Sequence, residues 1–241
     1  MKTIILIPVR MAAKRFPNKP LALIDGKTMI QRVWEQAILS NLGEVIVACC
    51  ETEVFDLISS LGGKAEMTNP NLPSGTDRIF EAINNYSNIS QYDSIINLQG
   101  DMPIIDPKDI EKVNIPLQQG FDMGTLVTDL TEDQAKDINI TKAKIEWIHK
   151  NKIGKAVDFD KQILASINNE IYHHVGIYSF RYETLKKFVS KPPSRNEIKK
   201  KLEQLRALDA KMTIGVSYVK EVPISVDTKK DLLKVEEIIK N

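Results

Sequence analysis

Short apolar, β-branched runs alternate with longer stretches of helical period through the first half of the chain. TIILIP (3–8), EVIVAC (44–49) and DSIINLQ (93–99) are largely continuous in apolar character instead of alternating with polar residues. Strands of that kind are covered on both faces, as in a parallel sheet layered between helices. Between the first two, TMIQRVWEQAILSN sets Met29, Ile30, Val33, Trp34, Ala37 and Ile38 on one helical face. A second helix is predicted near 52–61 and a third from SGTDRI onward. Strand followed by helix, repeated, reads as βαβ units.

The order changes after about residue 118, where DMGTLVTDL, TKAKIEWI and EIYHHVGIYSF read as strands with little helix before 181. Helices near 181–190 and 194–208, a strand KMTIGVSYV and a last helix over 228–240 complete the chain. Asp227 or Thr228 can cap that last helix, with Asp231 in its first turn. The expected organisation is one α/β domain: a core of roughly 1–118 and 209–241, and a smaller β-rich inserted lobe of 119–208. Ligands of such sheets bind at the carboxyl ends of the strands, which nominates the loops 8–20, 68–78, 99–106 and 221–228.

Composition narrows the function. The 241 residues are 42% hydrophobic and 27% charged, ordinary for a globular protein, with a formal net charge of +1. That balance excludes coating nucleic acid by bulk electrostatics. The N-terminal apolar run, Ile4 to Pro8, is too short for a signal-peptide core or a membrane span. The two cysteines, Cys49 and Cys50, are adjacent and suit neither a disulfide framework nor a zinc site. The expectation is a cytoplasmic protein without membrane or nucleic-acid partners.

Against a near-neutral background, Arg10, Lys14, Arg15 and Lys19 stand out as four cations within ten residues. Like charges so close repel unless water screens them, as on a solvated loop, or an anion sits among them. Pro17 and Pro20 stiffen the chain around Lys19, so a polyphosphate site is expected, with Arg10, Arg15 and Lys19 as ligands and Lys14 as spectator. DGKT (25–28) lacks the earlier glycine of a phosphate-binding loop and reads as a turn.

LPSGTDRI (72–79) is either an anion or polar-ring site at a helix N-terminus or an ordinary capped helix start, and taken alone the second reading is preferred. In INLQGDMPII (96–105), Gly100 permits close backbone approach and Asp101 stands at the strand's mouth, a natural Mg2+ ligand beside a phosphate loop. Asp106 is the better cap for the helix that follows. Asp227 in PISVDT is a second carboxylate that would complete a metal site if it met Asp101 in space. YHHVGIY puts two histidines on opposite faces of a strand, without zinc-site spacing.

Taken in order, these segments resemble the CMP-Kdo synthetase (3-deoxy-manno-octulosonate cytidylyltransferase) family. IPVRMAAKRFPNKPL, SGTDR, NLQGDMP, HVGIY, LEQLRAL and VDTKKD all match its patterns, from residue 4 to 232. The resemblance implies a Rossmann-like, mostly parallel sheet flanked by helices, a homodimer, Mg2+, and transfer of CMP from CTP to Kdo with release of pyrophosphate, a step of lipopolysaccharide synthesis. It implies that Arg10, Arg15 and Lys19 hold the triphosphate, that Ser74, Gly75, Arg78 and Gln99 surround the cytidine, and that Asp101 and Asp227 hold Mg2+. It further implies that His174, Tyr178, Glu203, Gln204 and Arg206 face the sugar or support its pocket.

Three segments depart from the pattern. KAVDFDKQILASINNE stands where the family has S-R-x-x-I-P, which leaves Lys155, Lys161 or Arg206 to replace the missing arginine. Met102 follows QGD where a polar residue is usual, and PPSRNEIKKKLEQL departs from P-P-S-x-L-E. The rival readings are a cytidylyltransferase for a modified octulosonate, such as 8-amino-Kdo, or for another sugar acid, and a nucleotide-binding protein without turnover.

Overall fold

The computed structural model describes residues 1–12, 16–86, 91–162 and 170–240. The chain divides into two units, Met1–Ile110 with Pro223–Asn241, and Glu111–Val222.

The first unit carries β1 (Thr3–Pro8), a hairpin of β2 (Leu23–Ile24) and β3 (Lys27–Thr28), α1 (Met29–Leu39), β4 (Gly43–Cys49), α2 (Thr52–Ser60), β5 (Lys64–Met67), α3 (Gly75–Asn85), β6 (Ser94–Asn97) and α4 (Pro107–Lys112). Its strands pair in the order β5-β4-β1-β6, all parallel. Every residue of β1 is buried, as its unbroken apolar run requires. On α1, Met29, Ile30, Val33 and Ala37 are buried and Ile38 is exposed, so the apolar face is narrower than its sequence pattern. Asp25 and Gly26 turn the hairpin with φ of 45° and 76°, the positive pair of a type I′ turn. Asp106 Oδ1 accepts from Lys108 N at 2.9 Å, with Pro107 opening α4, as expected from the sequence.

The helix at Lys229–Lys240 belongs to this unit, and its Val235 packs into a cluster with Phe16, Ile24, Met29 and Val226. That cluster fastens Phe16, within the cationic loop, to the hairpin and to the segment leading into the last helix. Apolar burial therefore holds the loop at two points, β1 before it and Phe16 within it.

The second unit contains α5 (Ile115–Gln118), β7 (Met123–Thr128), α6 (Glu132–Lys136), β8 (Lys142–His149), β9 (Ile153–Asp160), β10 (Ile171–Phe180), α7 (Tyr182–Val189), α8 (Arg195–Lys200), α9 (Leu205–Asp209) and β11 (Ile214–Tyr218). Its strands run in the order β10-β7-β11-β9-β8, with β8 also pairing with β10. Only β11 and β7 are parallel; the other pairs are antiparallel.

Two expectations need correcting, and two strands went unread. The strand at 214–218, placed with the core from sequence, pairs with β7 and β9 and belongs to the second unit, whose limits are 111 and 222. The single helix expected over 194–208 is two short ones, because Lys201 adopts the left-handed conformation (φ 55°) and Leu202 N returns to Glu197 O at 3.3 Å. Strands β5 and β9 carry lysines and acids within KAEM and IGKAVDFD, so neither shows a continuous apolar run. No helix among the described residues is long and apolar enough to cross a membrane.

The HVGIY segment is a β-bulge. In the β10–β7 register Val175 faces Leu126 while Tyr178 faces Thr125, so two residues of β10 have no counterpart. The Thr125 hydroxyl lies 3.1 Å from Val175 O, 2.8 Å from Ile177 O and 3.0 Å from His174 Nε2. Carbonyls only accept, so the hydroxyl proton goes to one of them and His174 must donate from Nε2. Residues four apart on a regular strand lie about 13 Å apart. The bulge brings the His174 and Tyr178 ring centroids to 5.5 Å.

Burial, with the neighbouring His173 as a second cause, pushes the His174 pKa down from 6.5 to about 3. The unfolded chain therefore takes up a proton near pH 6.5 that the folded protein refuses until about pH 3. This contribution to stability is complete above the unfolded pKa and is lost as the pH falls. In urea unfolding, the natural protein should lose about 2 kcal/mol more than His174→Gln on going from pH 7 to pH 5; equal losses would contradict a buried neutral imidazole.

Candidate functional site

The site in the first unit forms where β1, β4 and β6 end. Val9 N still bonds to Ala48 O at 2.9 Å, extending the β1–β4 pairing by one residue before the chain turns outward. Met11 N then donates to Glu51 Oε1 at 2.9 Å, and Asn18 N donates to Met11 O at 3.2 Å, closing the loop at its base. Arg10 is exposed just before that closure. Arg15 and Lys14 lie outside the described residues. Lys19 opens a 3-10 turn, Lys19–Leu21, preceded by Asn18 in the left-handed conformation (φ 57°).

Lys19 Nζ lies 2.9 Å from Asp101 Oδ2 and 3.4 Å from Asp227 Oδ1. The two carboxylates that the sequence could only nominate separately therefore meet at one ammonium. Gly100 makes this possible on the Asp101 side, since a Cβ there would stand 2.4 Å from Val9 Cγ1 and 3.1 Å from Pro8 O. On the other side Val226 N donates to Asp101 O at 2.8 Å, binding the VDT segment to the QGD segment through the backbone. Thr228 and Asp231 cap the last helix between them: Thr228 Oγ1 accepts from Asp231 N at 3.3 Å, and Asp231 Oδ2 accepts from Thr228 N at 2.8 Å. Thr228, not Asp227, is the cap.

A cavity of about 560 Å³ opens over this cluster. Arg10, Lys19, Asp101 and Asp227 line it together with Ser74, Gly75, Arg78 and Gln99. Ser74 caps α3, accepting from Asp77 N at 3.1 Å and donating to Asp77 Oδ2 at 2.7 Å, so the ordinary cap and the cavity wall are the same residue. Arg78 is buried; it donates to Thr68 Oγ1 and, at 3.4 Å, to Asn69 O. Gln99 Nε2 donates to Asn97 Oδ1 at 3.2 Å.

Sequence reasoning missed Glu51 and Thr68, which hold the loop base and Arg78. Glu51 is simply the residue before α2, and no local pattern marks a partner forty positions away.

The five residues implied for the sugar lie in the second unit. His174 and Tyr178 are in ring contact, and Gln204 is buried. Burial, then the nearby Glu203 carboxylate, raises the Tyr178 pKa well above its ordinary value, so the phenol stays protonated. Arg206 is buried and forks onto Glu197, with Nε–Oε2 at 2.9 Å and Nη2–Oε1 at 2.6 Å, while its guanidinium lies 4.8 Å from the Phe188 ring centroid. Of the cations considered for the sugar carboxylate, Arg206 is thus engaged with Glu197. Lys155 is exposed on β9, and Lys161 is half-buried just after it.

The donor set also bears on a metal. Among the described residues no group of three or more His, Cys, Asp or Glu side chains is placed to hold an ion. Mg2+ does not require one, since it takes one or two carboxylates and completes its shell with phosphate oxygens and water. Two carboxylates already gathered around a monovalent cation fit that requirement.

A family model described as cytidylyltransferase matches residues 4–214. A 3-deoxy-manno-octulosonate cytidylyltransferase of Paramagnetospirillum magneticum is 42% identical over 98% of this chain and 97% of its own length. The enzyme of the same name from Rhodospirillum centenum is 39% identical, over 98% and 93%. A solved structure of CMP:2-keto-3-deoxy-manno-octonic acid synthetase complexed with CTP superposes with a TM-score of 0.89 at 32% identity, covering 100% of this chain and 99% of that one. A cytidylyltransferase from Leptospira borgpetersenii, at 17% identity and a TM-score of 0.64, shares the fold. The chain belongs to the 3-deoxy-manno-octulosonate cytidylyltransferase family.

Proposed function

We propose that this protein transfers the cytidylyl group of CTP to the anomeric hydroxyl of 3-deoxy-D-manno-octulosonate (Kdo), releasing pyrophosphate. The observation that carries the reading is the meeting of Lys19 with Asp101 and Asp227 at the mouth of a cavity walled by Arg10, Ser74, Arg78 and Gln99. Relatives of the same name over nearly the whole chain support it.

The sugar hydroxyl attacks the α-phosphorus in line, and the bond to the β-phosphate's bridging oxygen breaks. Charge builds on the phosphate oxygens, so the protein's task is to place cations and to hold both reactants. Arg10, Arg15 and Lys19 take the triphosphate, and Ser74, Gly75, Arg78 and Gln99 border the cytidine. Asp101 and Asp227 would hold Mg2+, which when bound neutralises phosphate charge and lowers the pKa of the attacking hydroxyl. Asp101 is therefore a ligand and not the base. His174, Tyr178, Glu203 and Gln204 serve the sugar, with Arg206 supporting them through its fork onto Glu197. CTP as donor places the reaction in the cytoplasm, and the homodimer implied by the family resemblance belongs to the same proposal.

Pyrophosphate release from CTP should require both Mg2+ and Kdo. Asp101→Asn should lower kcat by about 10²-fold or more while CTP still binds. Absence of release with every 2-keto-3-deoxy sugar acid tried would overturn the reading in favour of a nucleotide-binding protein without turnover.

A second reading, transfer to a modified octulosonate such as 8-amino-Kdo, draws on KAVDFDKQILASINNE standing in place of S-R-x-x-I-P. Side-by-side kcat/KM values separate the two. Kdo should exceed both its 8-amino analogue and an acylneuraminate by about tenfold or more, since a misplaced polar group costs at least that. The reverse order would reassign the substrate.

A further inference from the structure

Resting on the metal reading above, we infer that Lys19 is the resident counter-cation of the Asp101–Asp227 pair and is displaced when metal and nucleotide load together. Its ammonium lies 2.9 Å from Asp101 Oδ2 and 3.4 Å from Asp227 Oδ1, so it engages one oxygen of each carboxylate. A divalent ion shared by the same two carboxylates and an ammonium held between them repel each other at that range, and both cannot stay.

The backbone at Lys19 is fixed and its head is not. Asn18 is left-handed, Pro20 follows, and the turn is closed by Leu21 N to Asn18 O at 3.0 Å and Ala22 N to Lys19 O at 3.1 Å. The flexible four-carbon stem can move the ammonium without disturbing that turn. The cavity supplies a destination, because Lys19 and Arg10 share its lining with both carboxylates. A triphosphate entering there offers the ammonium new anionic oxygens, and the carboxylates are released to the metal carried in with it.

Metal and nucleotide are then thermodynamically coupled, each raising the other's affinity by the same factor. In the free protein Lys19 offsets part of the charge of two neighbouring carboxylates and disfavours divalent ions there. In the loaded protein the same side chain neutralises the triphosphate. One residue thereby makes the order of loading depend on the nucleotide.

The probe is Mn2+, followed by the electron paramagnetic resonance of the free ion in nucleotide-free protein, so that turnover plays no part. Lys19→Met should bind Mn2+ about tenfold more tightly than the natural protein, whereas Lys19→Arg, which keeps the charge, should not. Lys19→Gln gives a second neutral variant in case the methionine protein fails to fold. Unchanged or weaker Mn2+ binding in the neutral variants overturns the exchange. If CTP-dependent Mn2+ uptake by the natural protein is nevertheless abolished by Asp101→Asn, the metal reading survives that result. If Asp101→Asn leaves that uptake intact, both fall.

Discussion

The contact of Lys19 with two carboxylates 82 and 208 residues away is the point on which the site of the first unit converges. Closing loops of that length costs only a few kcal/mol in chain entropy once the sheet has formed. The ion contacts need not supply that energy. With side-chain exposures of 15%, 25% and 44% for Lys19, Asp101 and Asp227, they are partly wet, and such pairs contribute little net stability. Burial of β1, β6 and the Phe16–Val226 cluster brings the segments together, and the charges decide how their ends face each other. The site is thus a consequence of the core and not a prop for it.

Much of this was legible because the signals were local. Continuous apolar runs marked β1, β4 and β6, and Asp25-Gly26 marked the hairpin. The segments IPVR, SGTDR, QGD and VDT could each be placed at a strand end or helix start, which is why their residues converge on one cavity. What local pattern could not give was the partner of each group. Asp227 beside Thr228 is equally a cap or a ligand until Asp231 is seen to take the capping bonds. Arg78 looks like a surface residue of α3 until Thr68 and Asn69 are found around its guanidinium.

The second unit was harder to read for a related reason. IGKAVDFD lies between neighbours that cover it on both edges, so its charges leave into solvent from one face and the run looks like a loop. LEQLRAL reads as part of a long amphipathic helix, yet Lys201 ends α8 just before it. That break has a use. It lets Glu197, held in a capping box with Ser194, receive the Arg206 fork from the following helix. A buried guanidinium without such a carboxylate would be strongly destabilising. Arg206 is matched to Glu197 before any ligand arrives, which shifts the burden of meeting a sugar carboxylate to other groups.

The same economy governs the end of the chain. Asp227, Thr228 and Asp231 crowd three polar side chains at one helix start, and the work divides cleanly among them. Asp231 accepts from Asp227 N, Thr228 N and Thr228 Oγ1, at 3.1, 2.8 and 2.8 Å. The Asp227 carboxylate is left out of that capping network and reaches Lys19 instead. Had Asp227 been the cap, drawing it toward an ion would have unfastened the first turn of the helix, whose Val235 completes the cluster holding Phe16. Because the cap is separate, the charge on Asp227 can change partners while the helix, the cluster and the base of the cationic loop stay where they are.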